Sequence, residues 1–433
     1  MSETLLHSFL ALSVLWPLLL ALPAIQKRVH WSLYLALLPS VCVVVLPLEI
    51  SLSLPSVLMG SGLALDHSNR WILLASLIGW FFVMRFESRS GNPALSARNT
   101  LLLLALSGNL GVILSTELIG FFSFSTLMGY AYFGLLLENG NEHVKSFAQR
   151  YLVLLISADL LLFEALLLAS FSTENLQFGF VQHVMSKAES ANFYLLLVLC
   201  GFALKSGIWP AQFWLQSQYQ SSRPANRLLV SLLPLGIAML GAIRWLPLGE
   251  QAFEKAGLLM QVTGAATLLY ALFRLYAAFN LPRLSGWISV ASTSLLCIAL
   301  GSALSDPLIW REYANVSTGL IAVTLLLLLL LSLARARQPA ARATSTAQTQ
   351  TGRRWINQLQ ILSARLLQQS NNRLSLFHNA WLTHTHQLLT SAGLLLQSIH
   401  RRQFFSGWTA RMLLLLLIGL GFAWLSMASL IAE

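Results

Sequence analysis

Residues 193–215 read Phe-Tyr-Leu-Leu-Leu-Val-Leu-Cys-Gly-Phe-Ala-Leu-Lys-Ser-Gly-Ile-Trp-Pro-Ala-Gln-Phe-Trp-Leu. Twelve residues with no charge end on Lys205. Gly207 and Pro210 follow. An apolar run of this length needs a hydrocarbon environment. A lysine inside it costs roughly 2.5–3.5 kcal/mol on insertion scales. Pro210, with Gly207 before it, breaks or kinks a helix, and a broken helix within a bundle exposes backbone groups that need a polar cavity. Burial also favours the neutral amine, which makes the charge switchable. The stretch therefore reads as a membrane helix with a built-in break and a titratable group beside it.

The rest of the chain agrees with this reading. Of its 433 residues, 56% are apolar and 10% charged, whereas soluble domains carry about 25% charged residues. That composition excludes a soluble enzyme and a disordered chain. A bilayer core about 30 Å thick takes roughly 20 apolar residues per helix. Twelve such segments are legible, at about 4–23, 31–49, 70–86, 98–115, 118–137, 149–171, 193–209, 226–245, 257–278, 283–304, 314–334 and 411–431. The expected fold is all-α: a polytopic membrane bundle of about twelve helices, with the seventh broken. The first segment carries Glu3 and no basic lead, unlike a cleaved signal peptide.

The net charge is +11, a surplus that in a soluble protein would point to nucleic acid. With the N-terminus outside, 21 of the 27 Lys and Arg residues fall on the inner side, among them Lys27, Arg28, Arg85, Arg89, Arg98, Lys145, Arg150 and the ten arginines from Arg335 to Arg411. Five fall outside: Arg70, Lys187, Arg244, Lys255 and Arg311. This is the positive-inside pattern. It places both termini outside a bacterial-type cell membrane, and no nucleic acid is needed to explain the surplus.

Three domains are expected: a bundle over 1–334, a cytoplasmic connection over 335–410 and a last span over 411–433. Residues 338–352 are small and polar and read as a linker. From 353 to 400, Trp355, Leu359, Leu362, Leu366 and Leu367 recur at helical spacing among arginines. A basic amphipathic helix on the lipid headgroups fits, either lying on the surface or reaching a partner subunit as a lateral strut. His378, His384 and His386 cluster there without a nearby acid, so they read as a wet helix face and not as a metal site. Cys42, Cys200 and Cys297 lie in separate spans and form no disulfide or iron–sulfur pattern. No phosphate loop, dinucleotide fingerprint or nucleophile elbow occurs. No cofactor, no metal and no catalysis of its own are expected.

The sixth span carries Asp159 and Glu164. Five residues apart, they face directions about 140° apart on a helix. Asp159, nearer mid-span, is the expected counter-charge of Lys205. Glu164 is left to a second polar contact or the outer interface, and Glu117 to the interface at the start of the fifth span.

The run from Lys205 to Arg244 (Lys-Ser…Pro210…Trp214-Leu215…Pro224…Gly241…Arg244) resembles the seventh-to-eighth helix signature of the proton-conducting antiporter-like subunits. These occur in respiratory complex I, membrane-bound hydrogenases and Mrp antiporters. Phe121 to Thr126, Ala158-Asp159 and Asn280 to Gly301 resemble further family segments, with the largest, L-type subunit the nearest. The resemblance implies that Lys205 with Asp159, and Glu164 beside them, serve proton relay or coupling, with Tyr151 or water linking the site to one side. It implies other subunits in the membrane and a partner docking on the basic cytoplasmic face.

Departures from the family pattern are equally specific. The fifth-helix glutamate falls on Thr126, the histidine after the proline on Gln212, and the eighth-helix histidine and lysine on Val230 and Gly236. A first-half site survives while the second-half path is erased. That suits a coupling subunit such as the membrane component of inorganic-carbon pumps, which serves a soluble zinc protein. That is the leading expectation; the alternatives are a non-conducting scaffold of such a complex, or a Mrp-, hydrogenase- or complex I-type antiporter component.

Overall fold

A computed structural model describes residues 3–22, 24–25, 33–45, 49–53, 62–88, 95–138, 142–208, 212, 214–215, 224–276 and 281–336. The expected helix over 353–400, its histidines, Pro210 and the last span lie outside these residues.

The chain opens with α1 (Glu3–Ala21). A 3-10 turn at Leu33–Leu37 leads into α2 (Leu38–Val45). Beyond the second apolar segment lies a β-hairpin, β1 (Ile50–Ser53) and β2 (Gly62–Leu65), paired antiparallel with Ile50 opposite Leu65. Long helices follow: α3 (His67–Ser88), α4 (Leu95–Leu114), α5 (Leu118–Leu137) and α6 (Glu142–Ser172). A short amphipathic helix, α7 (Phe178–Lys187), precedes α8 (Ala191–Ser206). The next span is interrupted: α9 (Pro224–Val230), a π turn at Ser231–Leu235, then α10 (Gly236–Trp245). The described part closes with α11 (Glu254–Tyr276), α12 (Leu281–Ser305) and α13 (Pro307–Ala336).

Among the described residues, six helices are long and apolar enough to cross a membrane, and three shorter apolar ones accompany them. Burial sorts their places. In the span Ala225–Trp245, 94% of the residues are buried, against 28% for Glu254–Leu275. The first is the centre of the bundle. The second turns Leu258, Leu259, Val262 and Leu269 outward, as a helix does where lipid replaces water. α11 and α12 pack chiefly on each other. They approach closely because Gly257 and Gly301 meet: a Cβ on Gly301 would lie 2.7 Å from the Gly257 carbonyl oxygen.

The turns alternate between two ends of the bundle. At one end, the hairpin covers the tight α4–α5 turn, where Leu63 bridges Ser115 and Glu117 bridges Gln177. At the other, α3, α4, α5 and α9 meet.

The α4 and α9–α10 helices are joined at three depths. At that second end, Arg98 Nε and Nη2 donate to the two Glu87 oxygens at 2.7 and 2.6 Å. Arg98 also donates to Asn226 at 3.0 Å and to Glu138 at 3.2 Å. A fork-to-fork pair with further partners satisfies a buried guanidinium. In mid-span, Asn109 Nδ2 donates to the Leu232 carbonyl at 3.4 Å, and its Oδ1 accepts from Trp80 and Ser76. At the hairpin end, Arg244 donates to the Val112, Ile113 and Ser115 carbonyls and to Asn69 at 2.7–3.1 Å. The last carbonyls of a helix lack intrahelical donors, and a cation there also meets the helix dipole. Arg244, counted among the outer-side charges in the sequence, is thus the cap of a neighbouring helix.

Candidate functional site

Lys205 lies in the last turn of α8. The helix stops there because Gly207 takes a left-handed conformation (φ 68°), and the N–H groups of Gly207 and Ile208 both return to the Ala203 carbonyl. One turn earlier, Gly201 lets α6 come close: a Cβ there would sit 2.8 Å from the Leu162 side chain. That approach brings the Asp159 carboxylate within reach.

Lys205 Nζ is 2.7 Å from Asp159 Oδ1, with both side chains under 10% exposed. The ammonium also donates to Ser125 Oγ of α5 at 2.8 Å. Neither carboxylate oxygen has a well-directed hydrogen bond among the described residues. Among the described residues, the ion pair with Lys205 is the contact that holds the Asp159 carboxylate. A buried carboxylate normally collects several donors.

Beside the pair lies a cavity of about 20 Å³, lined by Ser125, Tyr151, Lys205, Trp214, Pro234 and Ile237 among others. That is room for about one water. Tyr151 packs between Tyr132 and Trp214, with ring centroids 5.4 and 5.3 Å away. Gln212, beyond the helix break, is buried, and its Oε1 has no partner among the described residues.

The other expected positions fall as follows. Thr126 turns its hydroxyl back to the Ser123 carbonyl, and Ser125, one residue earlier, reaches the lysine in its place. Val230 is fully buried and ends α9. Gly236 opens α10 against Leu325. Glu164 does not join the pair: it is exposed on the far side of α6, as five residues of helix require. Ser125 was not singled out from sequence, although its hydroxyl stands next to the vacated glutamate position.

A second, larger cavity of about 640 Å³ opens at the hairpin end, lined by polar groups that include Asp66, Asn69, Glu117, Gln177, Gln182 and Arg244. Glu117 stands at its rim as the N-cap of α5 without a side-chain cap bond, and partial burial pushes its carboxyl above the usual range. Leu240 and Ile243 also line this cavity, whereas Ile237, one turn away on α10, lines the lysine's. Phe121, Phe202 and Trp245 form an edge-to-face trio around Gly241, with centroids 5.9–6.3 Å apart.

The fold and this buried pair beside a helix break define a multi-pass membrane protein of the antiporter-like class. The family described as NADH:quinone oxidoreductase/Mrp antiporter, TM matches residues 115–340, about half of the chain and the whole of the site, and the chain belongs to that family. Two solved structures share its fold. A chain of the membrane-bound sulfane sulfur reductase (MBS), an archaeal respiratory membrane complex, superposes with a TM-score of 0.62 at 16% identity, covering 77% of this chain and 70% of that one. A chain of the Mrp complex from Dietzia sp. DQ12-45-1b superposes with a TM-score of 0.59 at 18% identity, covering 77% and 64%. This chain thus spans less than two thirds of the Mrp chain. No curated protein matches it.

Proposed function

We propose that the protein couples proton or cation movement to the work of a larger membrane complex, with Lys205 as the mobile charge and Asp159 as its counter-charge. The observation that carries this is the buried 2.7 Å pair, thinly hydrogen-bonded and beside a water-sized cavity at a helix break. Protonation of the carboxylate, or withdrawal of the ammonium toward Ser125 and the cavity, separates the charges. Each separation changes the electrostatics of α6 and α8 together. Glu164 takes no step in this scheme.

The partner is proposed as a soluble zinc protein docking on a basic cytoplasmic face, in a bacterial inner membrane with both termini outside, and the work as inorganic-carbon uptake. Support comes from the charge asymmetry of the loops and the one-sided site: among the described residues, α11 and α12 hold no Lys or Glu away from their end turns. A Mrp- or hydrogenase-type component remains the other coupling assignment. The substitutions at Thr126, Gln212, Val230 and Gly236 favour a second reading, a non-conducting scaffold. Lys205→Ala and Asp159→Asn in the intact complex separate the two. Coupling predicts that dependence on the proton gradient falls at least tenfold while assembly persists. Unchanged gradient dependence in both variants leaves the scaffold.

A further inference from the structure

Glu164 presents a problem that the Lys205 site does not solve. It sits in the span Tyr151–Ser172, about 4 Å from its midpoint at 1.5 Å per residue. Its side chain is exposed, and it has no hydrogen bond or ion pair among the described residues. It lies in a stripe at helical spacing with Leu160 (41% exposed), Phe163 (43%) and Phe171 (86%). Phe171 is seven residues on, so the carboxylate is roughly 10 Å deeper than that aromatic. A glutamate side chain is too short to reach water from there. In lipid, an ionised carboxylate at this depth is costly, and a neutral carboxyl still lacks a hydrogen-bond partner.

Nothing among the described residues resolves it. Lys205 is committed to Asp159, Arg98 to Glu87 and Arg244 to the end of α4. The remaining apolar segment, 411–431, has no basic residue after Arg411 at its edge. Charge complementarity then names the missing group.

We infer that the Leu160–Phe163–Glu164–Phe171 face of α6 is an intramembrane docking surface for a transmembrane helix of another subunit, which carries a lysine or arginine at the depth of Glu164. Apolar packing along the stripe gives the contact area, and the single charge pair fixes depth and register, as a lone polar pair does in a membrane helix interface. The inference does not depend on proton coupling: a scaffold would use the same face.

The test is photo-crosslinking in membranes of the native host, with p-benzoylphenylalanine at position 163 and, as a control, at position 259 on the outward face of α11. The expected result is a protein adduct at 163 only. Its cross-linked peptide lies in a membrane-spanning helix of a different subunit that contains Lys or Arg. Glu164→Leu lowers its yield at least tenfold, while Glu164→Gln has a smaller effect. Lipid-only adducts overturn the proposal. So does a peptide from a second copy of this chain, a peptide without a basic residue, or an adduct indifferent to Glu164→Leu. Equal amounts of each variant in the membrane show that the chain itself still folds. A positive result with unaltered gradient dependence in Lys205→Ala would keep the interface and discard the coupling scheme.

Discussion

Replacing Asp159 by leucine while Lys205 stays leaves an ammonium buried in hydrocarbon with one hydroxyl for company. At 2.7 Å the pair's attraction is roughly 6 kcal/mol for an effective dielectric near 20. Desolvation of each ion costs several kcal/mol, so the intact pair contributes little net stability. The single substitutions expose the asymmetry: Asp159→Leu and Lys205→Met should each destabilise by about 3–5 kcal/mol, because each orphans a buried charge. The double variant, with no charge left, should lie within about 1–2 kcal/mol of the parent. The coupling energy from this cycle is then about 3 kcal/mol or more, large for neighbouring residues. Reversible unfolding in mixed micelles by SDS titration, reading helix content, measures all four proteins. Simple addition of the two single losses in the double variant would refute the reasoning. So would a stable Asp159→Leu protein, which would show that Ser125 and the cavity hold the ammonium unaided.

Arg98→Lys should cost about 1–3 kcal/mol in the same assay, since an ammonium cannot reproduce the two-pronged contact with Glu87 or reach Asn226 and Glu138 at once. Gly241→Ala drives a methyl into the Phe202 ring, and overpacking of this kind costs about 1–3 kcal/mol; it should also alter tryptophan fluorescence through Trp245. For Glu117 the sign is set by its raised pKa: the folded state prefers the protonated acid, so ionisation opposes folding as pH rises above the ordinary glutamate value of 4.5. Glu117→Gln should therefore melt slightly higher than the parent at neutral pH, with the gain vanishing below that value.

The membrane class was legible in sequence because hydropathy and loop charge are one-dimensional signals. Spans four to eleven follow the apolar runs closely for that reason. The hairpin β1–β2, in the connection between the second and third segments, left no sequence signal, because four-residue strands are too short for an alternating pattern to stand out from a loop. Lys205 and Asp159 stood out as charges at depth, but their separation depended on Gly201 and Gly207, whose effects are spatial. Arg98, Glu87 and Glu138 fall at span ends and look like loop charges. Only the convergence of α3, α4, α5 and α9 turns them into a buried cluster. Arg244 closes the family-like signature in the sequence, but its partners, three backbone carbonyls of the α4 end and Asn69, are set only by the fold.

The π turn at Ser231–Leu235 follows from Pro234, which cannot donate to the carbonyl four residues back and would clash with it. The helix widens there, the Gly236 N–H reaching back to the Ser231 carbonyl, and Asn109 donates to the Leu232 carbonyl within the turn. On either side, Asn226 and Arg244 are each fastened to the same helix, α4. The turn therefore acts as a spacer holding one surplus residue between two fixed points. Deleting a single residue within it would rewind a plain α-helix and swing everything beyond by about 100°. One of the two fastenings would then be lost. Length in this segment is constrained as strictly as chemistry is at Lys205, and a one-residue deletion, harmless in a surface loop, would here disconnect an arginine from the helix end it closes.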